Sequence, residues 1–169
     1  DVRRAAAALV AMAGSGTAPP FRGIRFKSLE APTRRRGIRT LTLFLSELLE
    51  QGGDLTGFVT TLPKITSVDQ VEAMVELTGR LEEALGLGEK ELRFELQIET
   101  PQSILGPDGT ALVARMIHAG ESRVTAMHYG TYDYSAFCGI PAAFQSMEHP
   151  VADHAKLVGQ PQRQLSCRS

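Results

Sequence analysis

The segment at residues 91–99 alternates strictly between apolar and polar side chains. Its sequence, ELRFELQIE, places an apolar residue at every second position: Leu92, Phe94, Leu96 and Ile98. Alternation with a period of two predicts a β-strand with one apolar face. The opposite face carries charged and amide side chains, although a helical pattern follows directly in the sequence. The strand therefore has one apolar face suited to helix packing and one polar face, and the fold must account for the environment of the polar face.

The same pattern analysis divides the whole chain into alternating strands and helices. Strands are predicted at residues 21–28, 57–64, 91–99 and 122–130. Helices are predicted at residues 1–13, 36–50, 67–88, 110–119 and 132–146, and a further helix is predicted to begin near residue 149. We assign residues 1–158 to one domain and residues 159–169 to an irregular C-terminal tail.

Four strand–helix units in succession indicate an α/β fold with a parallel sheet. A doubly wound sheet and a (βα)8 barrel both fit this repeat. The polar face of residues 93–99 favours the barrel, because one face of every barrel strand looks into the interior. Four units are about half of a barrel of roughly 250 residues. The sequence therefore predicts a partial (βα)8 TIM barrel.

The amino-acid composition restricts the cellular compartment and the binding partners that can be expected for this chain. The chain has 169 residues, of which 43% are hydrophobic and 22% charged, as in an ordinary globular domain. A net charge of −1 predicts no attraction to nucleic acid or to a membrane surface. The two cysteines, Cys138 and Cys167, suit a reduced, cytoplasmic protein. The chain begins with Asp, and half a barrel exposes strand edges, so we expect part of a longer protein or a homo-oligomer.

Candidate chemistry lies at the predicted strand ends, where barrel enzymes carry their active sites. Arg25, Lys64, Glu99 and Asp133 fall at or near these ends. Two carboxylates from adjacent strands suit Mg²⁺, which keeps several waters and rarely uses a complete protein cage. A substrate carboxylate would add oxygen ligands, and an arginine would pair with that carboxylate through a bidentate fork.

Four motifs in order, GIRFKS, TLPK, FELQIET and HYGTYD, resemble the citrate lyase β-subunit-like family of aldolases. This family includes malyl-CoA and citramalyl-CoA lyases, and the motifs are most similar to those of an uncharacterised bacterial branch. The resemblance covers about residues 20–158. It implies a barrel of the phosphoenolpyruvate/pyruvate type and a Mg²⁺-dependent carbon–carbon lyase.

The resemblance also implies roles for individual residues. Glu99 and Asp133 would bind Mg²⁺, and Arg25 would act in catalysis by holding the substrate carboxylate. Backbone amides around Gly130 and Thr131 would lie close to the substrate. That substrate would be a 2-oxo or 2-hydroxy acid or its coenzyme A thioester, and the ion would stabilise its enolate.

Each acidic or basic residue of this set also has a structural interpretation. Glu99 precedes a helix start, where an acid stabilises the helix dipole, and Asp133 could be a helix N-cap. Arg25 could pair with Glu95 or Glu99 inside the barrel. Lys64 is expected to take part in catalysis as a supporting residue that pairs with Glu99, but it could also be a solvated strand end.

Other side chains near the motifs are assigned to structure. His128 is expected to be hydrogen bonded rather than a ligand, and Cys138 is expected to pack as a small apolar residue. The basic segment TRRRGIR, residues 33–39, is typical of a solvated helix start. Its alternative is a site at the catalytic rim for an anionic substrate tail, such as the phosphates of coenzyme A.

Two further hypotheses stay open for the chain as a whole. In one, the chain is a catalytically incomplete barrel that acts only through self-association. In the other, the barrel uses the same metal-binding acids for chemistry on phosphoenolpyruvate-type substrates.

Overall fold

The computed structural model describes residues 1–153 and 155–157. The strands are β1 (Arg22–Arg25), β2 (Phe58–Leu62), β3 (Phe94–Ile98) and β4 (Val124–Tyr129). The helices are α1 (Val2–Gly14), α2 (Arg34–Glu50), α3 (Val68–Leu85), α4 (Pro101–Ile104), α5 (Leu112–Ala119) and α6 (Thr131–Phe137). A 3-10 helix spans Ala142–Phe144, and residues 150–153 and 155–157 are helical.

The four strands form one parallel sheet in the order β1-β2-β3-β4. A helix separates each strand from the next, which confirms the predicted βα repeat. Arg25 lies opposite Thr61 in the register, and Thr61 lies opposite Glu95. Because the strands are parallel and follow chain order, their carboxyl ends all lie along one edge of the sheet, which we call the rim.

The alternation at residues 91–99 separates the two faces of the sheet as predicted. Phe94, Leu96 and Ile98 are at most 4% exposed and belong to the hydrophobic core with the helices. Glu95 and Gln97 are half-buried on the opposite face. This second face is the interior face of a barrel, which explains why a strand with helices on its apolar side carries polar groups on the other.

A buried ion pair ties α3 to the amino ends of β3 and β4. Arg123 and Glu82 are 5% and 4% exposed, and their two nitrogen–oxygen distances are 2.6 and 2.8 Å. The Glu82 carboxylate also accepts hydrogen bonds from the backbone N–H groups of Leu92 and Lys90. The Arg123 guanidinium donates in turn to the carbonyl of Leu92. The charges are therefore compensated within the core.

The structure corrects several predicted boundaries. The strands are shorter at both ends than predicted, and the helix expected at residues 132–146 ends at Phe137. Gly139 then adopts a left-handed φ of 78°, and Pro141 starts the 3-10 turn, so the chain leaves the helix. Cys138 caps this helix end and is exposed, so the prediction that it packs as a small apolar residue is wrong.

Some predictions fall on parts of the chain that the structure does not describe. The C-terminal tail, which includes Cys167, lies outside the described residues, so its assignment stays a prediction. Among the helices that are described, none is long and apolar enough to cross a membrane. Within residues 1–153 and 155–157, β1 and β4 each pair with a single strand, so both edges of the sheet are open.

Candidate functional site

Three of the predicted residues meet at the rim. Lys64 follows β2, Glu99 follows β3, and Asp133 lies in the first turn of α6 after β4. The backbone N–H of Lys64 donates to Oε1 of Glu99 at 2.8 Å, and its Nζ donates to Oδ2 of Asp133 at 3.0 Å. Acids that are far apart in sequence are therefore brought to one end of the sheet.

Glu99 is enclosed completely, with no exposed surface. Its second oxygen, Oε2, accepts a hydrogen bond of 2.9 Å from Nε2 of Gln97. Burial raises the pKa of Glu99, and a hydrogen bond with the Asp133 carboxyl adds to this effect. The N–H group and positive charge of Lys64 act in the opposite direction without outweighing it. A cation beside this carboxylate would relieve the cost of ionising it.

Asp133 is the more accessible acid, with 46% of its side chain exposed. The hydrogen bond from Lys64 lowers its pKa, and the hydrogen bond with Glu99 and the charge of Arg25 act in the same direction. The pKa of Glu99 is thus raised and that of Asp133 lowered, as expected for two acids that share a site. Gly130 occupies the N-cap position of α6, so the alternative that Asp133 is the N-cap is wrong.

Lys64 has a backbone conformation that is rare for a side chain with a Cβ. Its φ is 52°, in the left-handed region that favours glycine. This conformation aims the N–H at Glu99 while the side chain reaches Asp133. The predicted pairing with Glu99 therefore exists through the backbone, whereas the ammonium group pairs with Asp133. Strained residues of this kind concentrate at functional sites.

A family model for a domain of unknown function, DUF6986, matches residues 1–163. The chain belongs to the DUF6986 family. No curated protein matches it.

Three of the similar solved structures are malate synthase from Haloferax volcanii. The pyruvate/acetyl-CoA ternary complex has 14% identity and a TM-score of 0.68, over 96% of this chain and 43% of that one. The lead(II) complex has 16% identity and a TM-score of 0.67, over 96% of this chain and 46% of that one. The native enzyme at 3 mM glyoxylate has 15% identity and a TM-score of 0.71, over 96% of this chain and 47% of that one. The chain spans less than half the length of each.

These likenesses confirm the predicted fold as a partial TIM barrel. They bear out the expected family in part. The family that matches is DUF6986 and the three structures compared above are malate synthases, so the resemblance to the citrate lyase β-subunit-like group is supported at the level of the barrel. At identities of 14–16% the likeness establishes the fold of this DUF6986 chain and not its activity.

Arg25 lies at the end of β1 with its side chain exposed. Its guanidinium donates to Oε1 of Gln97 at 3.2 Å and forms no ion pair with Glu95 or Glu99 among the described residues. The alternative in which Arg25 pairs with Glu95 or Glu99 is therefore not found.

Glu95 has other partners. It accepts a hydrogen bond from Thr61 and contacts Nε2 of His128, so His128 is hydrogen bonded as expected.

The basic segment lies beside the rim. Arg34, Arg35 and Arg36 begin α2, are exposed, and form no hydrogen bond or ion pair through their side chains within the described part of the chain. A cavity of about 150 Å³ next to them is lined by Arg25, Phe26, Lys27, Ser28, Glu30, Thr33, Pro63 and Lys64. The segment is thus both a solvated helix start and a neighbour of the candidate site.

Gly130 lies against Glu99, and Thr131 is buried at the start of α6. The N–H of Gly130 donates to the carbonyl of Ile98 at 2.8 Å, so this amide is engaged in the structure. Thr131 starts α6, where N–H groups have no intrahelical acceptor. The predicted role of these amides in substrate binding stays a prediction, and Thr131 is the better placed of the two.

Alanine at Gly130 is expected to destabilise the protein by about 1–3 kcal/mol, as for an overpacked core. A Cβ there would lie 2.6 Å from Cβ and 2.9 Å from Oε2 of Glu99, and it would force the carboxyl to move. Gly79→Ala is the matched control, because its Cβ meets only a guanidinium atom at 3.9 Å inside α3. That change should stabilise the helix instead. Chemical denaturation measures both, and equal effects would contradict the close packing at Gly130.

Proposed function

We propose that this chain carries the metal and acid-binding site of a Mg²⁺-dependent enzyme that cleaves or forms a carbon–carbon bond. The substrate would be a 2-oxo or 2-hydroxy acid or its coenzyme A thioester. The observation that carries this proposal is the convergence of Glu99 and Asp133 on Lys64 at the rim. The reaction would take place in the cytoplasm, as the low number of cysteines favours.

The donor set at the rim fits Mg²⁺. Among the described residues no group of three or more His, Cys, Asp or Glu side chains is placed to hold a metal. Mg²⁺ needs fewer, because it uses one or two carboxylates and completes its shell with waters and substrate oxygens. Glu99 and Asp133 supply two hard oxygen ligands, and Asp133 is open to the solvent from which the remaining ligands would come.

The protein side chains would bind and orient the substrate acid. Arg25 is exposed at the rim and would pair with the substrate carboxylate in a bidentate manner. Lys64 would hold Asp133 and Glu99 in place and add positive charge near the reacting oxygen. When bound, Mg²⁺ would supply a Lewis acid that stabilises negative charge developing on the substrate.

The solved neighbours support the class of substrate. One malate synthase structure is a ternary complex with pyruvate and acetyl-CoA, and another is the native enzyme at 3 mM glyoxylate. Pyruvate and glyoxylate are 2-oxo acids, and acetyl-CoA is a thioester. Because this chain has a similar barrel fold with two acids at the rim, it suits substrates of the same chemical class. The exposed arginines at the start of α2 would bind the phosphates of a coenzyme A tail. Both the cleavage and the condensation direction are compatible with this arrangement.

Titration of the purified chain with MgCl₂ and sodium pyruvate tests the proposal. Isothermal calorimetry should detect Mg²⁺ binding, and pyruvate should bind more tightly when Mg²⁺ is present, because both contribute to one site. The ligands should also raise the midpoint of thermal unfolding. At about 100 times the dissociation constant, this linkage corresponds to about 2.7 kcal/mol. The absence of any Mg²⁺ or pyruvate binding would refute the proposed function.

The alternative, a catalytically incomplete barrel that acts through self-association, is favoured by a different observation. Both sheet edges are open within the described residues, and Phe21 beside β1 is 78% exposed. Phe144, in the 3-10 helix that follows α6, is 72% exposed. Sedimentation velocity together with the same titration separates the two functions. A stable oligomer that binds neither Mg²⁺ nor pyruvate would favour self-association.

A further inference from the structure

Gln97 connects two residues that the proposed function assigns to different ligands. Its Oε1 accepts a hydrogen bond of 3.2 Å from Nη1 of Arg25, and its Nε2 donates a hydrogen bond of 2.9 Å to Oε2 of Glu99. Arg25 is on β1 and Glu99 follows β3, so the amide bridges across the width of β2. The side chain is half-buried on the interior face of the sheet.

The chemistry of these partners explains why an amide is needed at this position. A guanidinium is only a donor, and an ionised carboxylate is only an acceptor. A primary amide carries one group of each kind, so it satisfies both neighbours in a single orientation. A carboxylate at residue 97 would repel Glu99, and an apolar side chain would satisfy neither partner.

Glu99 is held rigidly by this arrangement. Gln97 fixes Oε2, while the N–H of Lys64 fixes Oε1 at 2.8 Å. A Cβ on Gly130 would lie 3.4 Å from Nε2 of Gln97 and 2.9 Å from Oε2 of Glu99, so the glycine allows β4 to close against this bond. Loss of the Gln97 bond would free the carboxyl to rotate.

We propose that Gln97 is a positioning residue that fixes the substrate-binding guanidinium of Arg25 relative to the metal-binding carboxylate of Glu99. This assignment rests on the proposed function and deepens it. In this role Gln97 would act through Arg25 and Glu99, which are its hydrogen-bond partners. It acts by setting the separation between the group that binds the acid and the group that binds the ion.

The test is a double-substitution cycle on Mg²⁺ affinity, measured by calorimetry without pyruvate. The proteins are wild type, Gln97→Met, Arg25→Met and the double variant. Gln97→Met should weaken Mg²⁺ binding about tenfold, as for other partners that orient a metal ligand. Arg25→Met should change the affinity by a different factor in the Gln97→Met background, because only an intact amide links Arg25 to Glu99.

Thr61→Val is the matched control, since it removes a hydroxyl from the same face of the sheet that contacts Glu95 alone. It should leave Mg²⁺ affinity unchanged within about twofold. Circular dichroism checks the fold of each protein. If Gln97→Met does not fold, Gln97→Asn replaces it, because the shorter amide reaches only one partner.

The outcomes separate this assignment from the proposed function. Wild-type protein that binds Mg²⁺, with a Gln97 variant that binds it equally well, would overturn the positioning role alone. Effects of Arg25→Met that are identical in both backgrounds would also overturn it. Wild-type protein that binds no Mg²⁺ would overturn the proposed function and the positioning role together.

Discussion

Replacement of Arg123 by methionine is expected to lower the free energy of unfolding by about 3–5 kcal/mol, the usual cost of removing one partner of a buried ion pair. Glu82 is 4% exposed in the intact protein. The substitution would leave its carboxylate with only the backbone N–H groups of Leu92 and Lys90 to compensate its charge. Urea denaturation followed by circular dichroism measures the change.

Two controls distinguish the cost of leaving a buried charge unpaired from the effect of removing an arginine anywhere on the protein. Arg80→Met removes an arginine from the exposed pair with Glu76 on the same helix, and it should leave stability almost unchanged. The double variant Glu82→Leu/Arg123→Met removes both buried charges and should be more stable than Arg123→Met alone. A small, equal effect of Arg80→Met and Arg123→Met would show that the Glu82–Arg123 pair is not buried in solution.

The same pair gives the protein a pH dependence with a definite sign. Burial acts to raise the pKa of Glu82, but hydrogen bonds from Arg123 and the backbone outweigh it and hold the pKa below its ordinary value of 4.5. The unfolded chain therefore binds a proton more readily than the folded protein. The stabilisation is present above about pH 4.5 and is lost as the pH falls through the folded pKa.

Much of this fold could be predicted because hydrophobic periodicity is a local property. The alternation at residues 91–99 identified both the strand and its two environments, and the repeated units identified a parallel sheet. Once the strands are parallel, their carboxyl ends must share one edge, so the proximity of Glu99 and Asp133 follows from topology. The termination of α6 at Phe137 was missed because apolar residues continue past Gly139 and conceal the turn.

The rest of the site depends on side-chain geometry that no sequence pattern records. Nothing in the motif TLPK indicates that Lys64 adopts a left-handed φ and turns its N–H towards Glu99. Gln97 looked like one more polar residue in an alternating strand, although its neighbour relations across β2 make it a bridge. The partnership of Glu82 with Arg123 joins positions far apart in the chain and carries no motif. A strand-end polar residue two positions before a candidate ligand was the signal that could have identified Gln97.

Glu99→Gln and Asp133→Asn are each expected to weaken Mg²⁺ binding by more than about 100-fold, beyond the loss that follows removal of an outer-shell partner. Among the described residues, Glu99 and Asp133 are the two carboxylates that meet beside Lys64, and each change removes one of them. Neither should unfold the protein. Glu99→Gln eliminates the need to bury an ionised carboxyl whose pKa is raised by burial, and Asp133 is 46% exposed. Calorimetry with MgCl₂ measures the affinities, and thermal unfolding checks the fold.

Matched controls distinguish metal binding from the two structural explanations of these acids. Asp69→Asn makes the same change in the first turn of α3, where Asp69 is exposed and only the helix dipole is affected. Glu95→Gln makes the same change as Glu99→Gln within β3, four residues before Glu99 on the polar face of the sheet and beside His128. Both controls should bind Mg²⁺ like wild type. Should Mg²⁺ affinity survive Glu99→Gln and Asp133→Asn as well, the convergence at the rim would be an architectural ion-pair network centred on Lys64, and the metal would have to be held elsewhere.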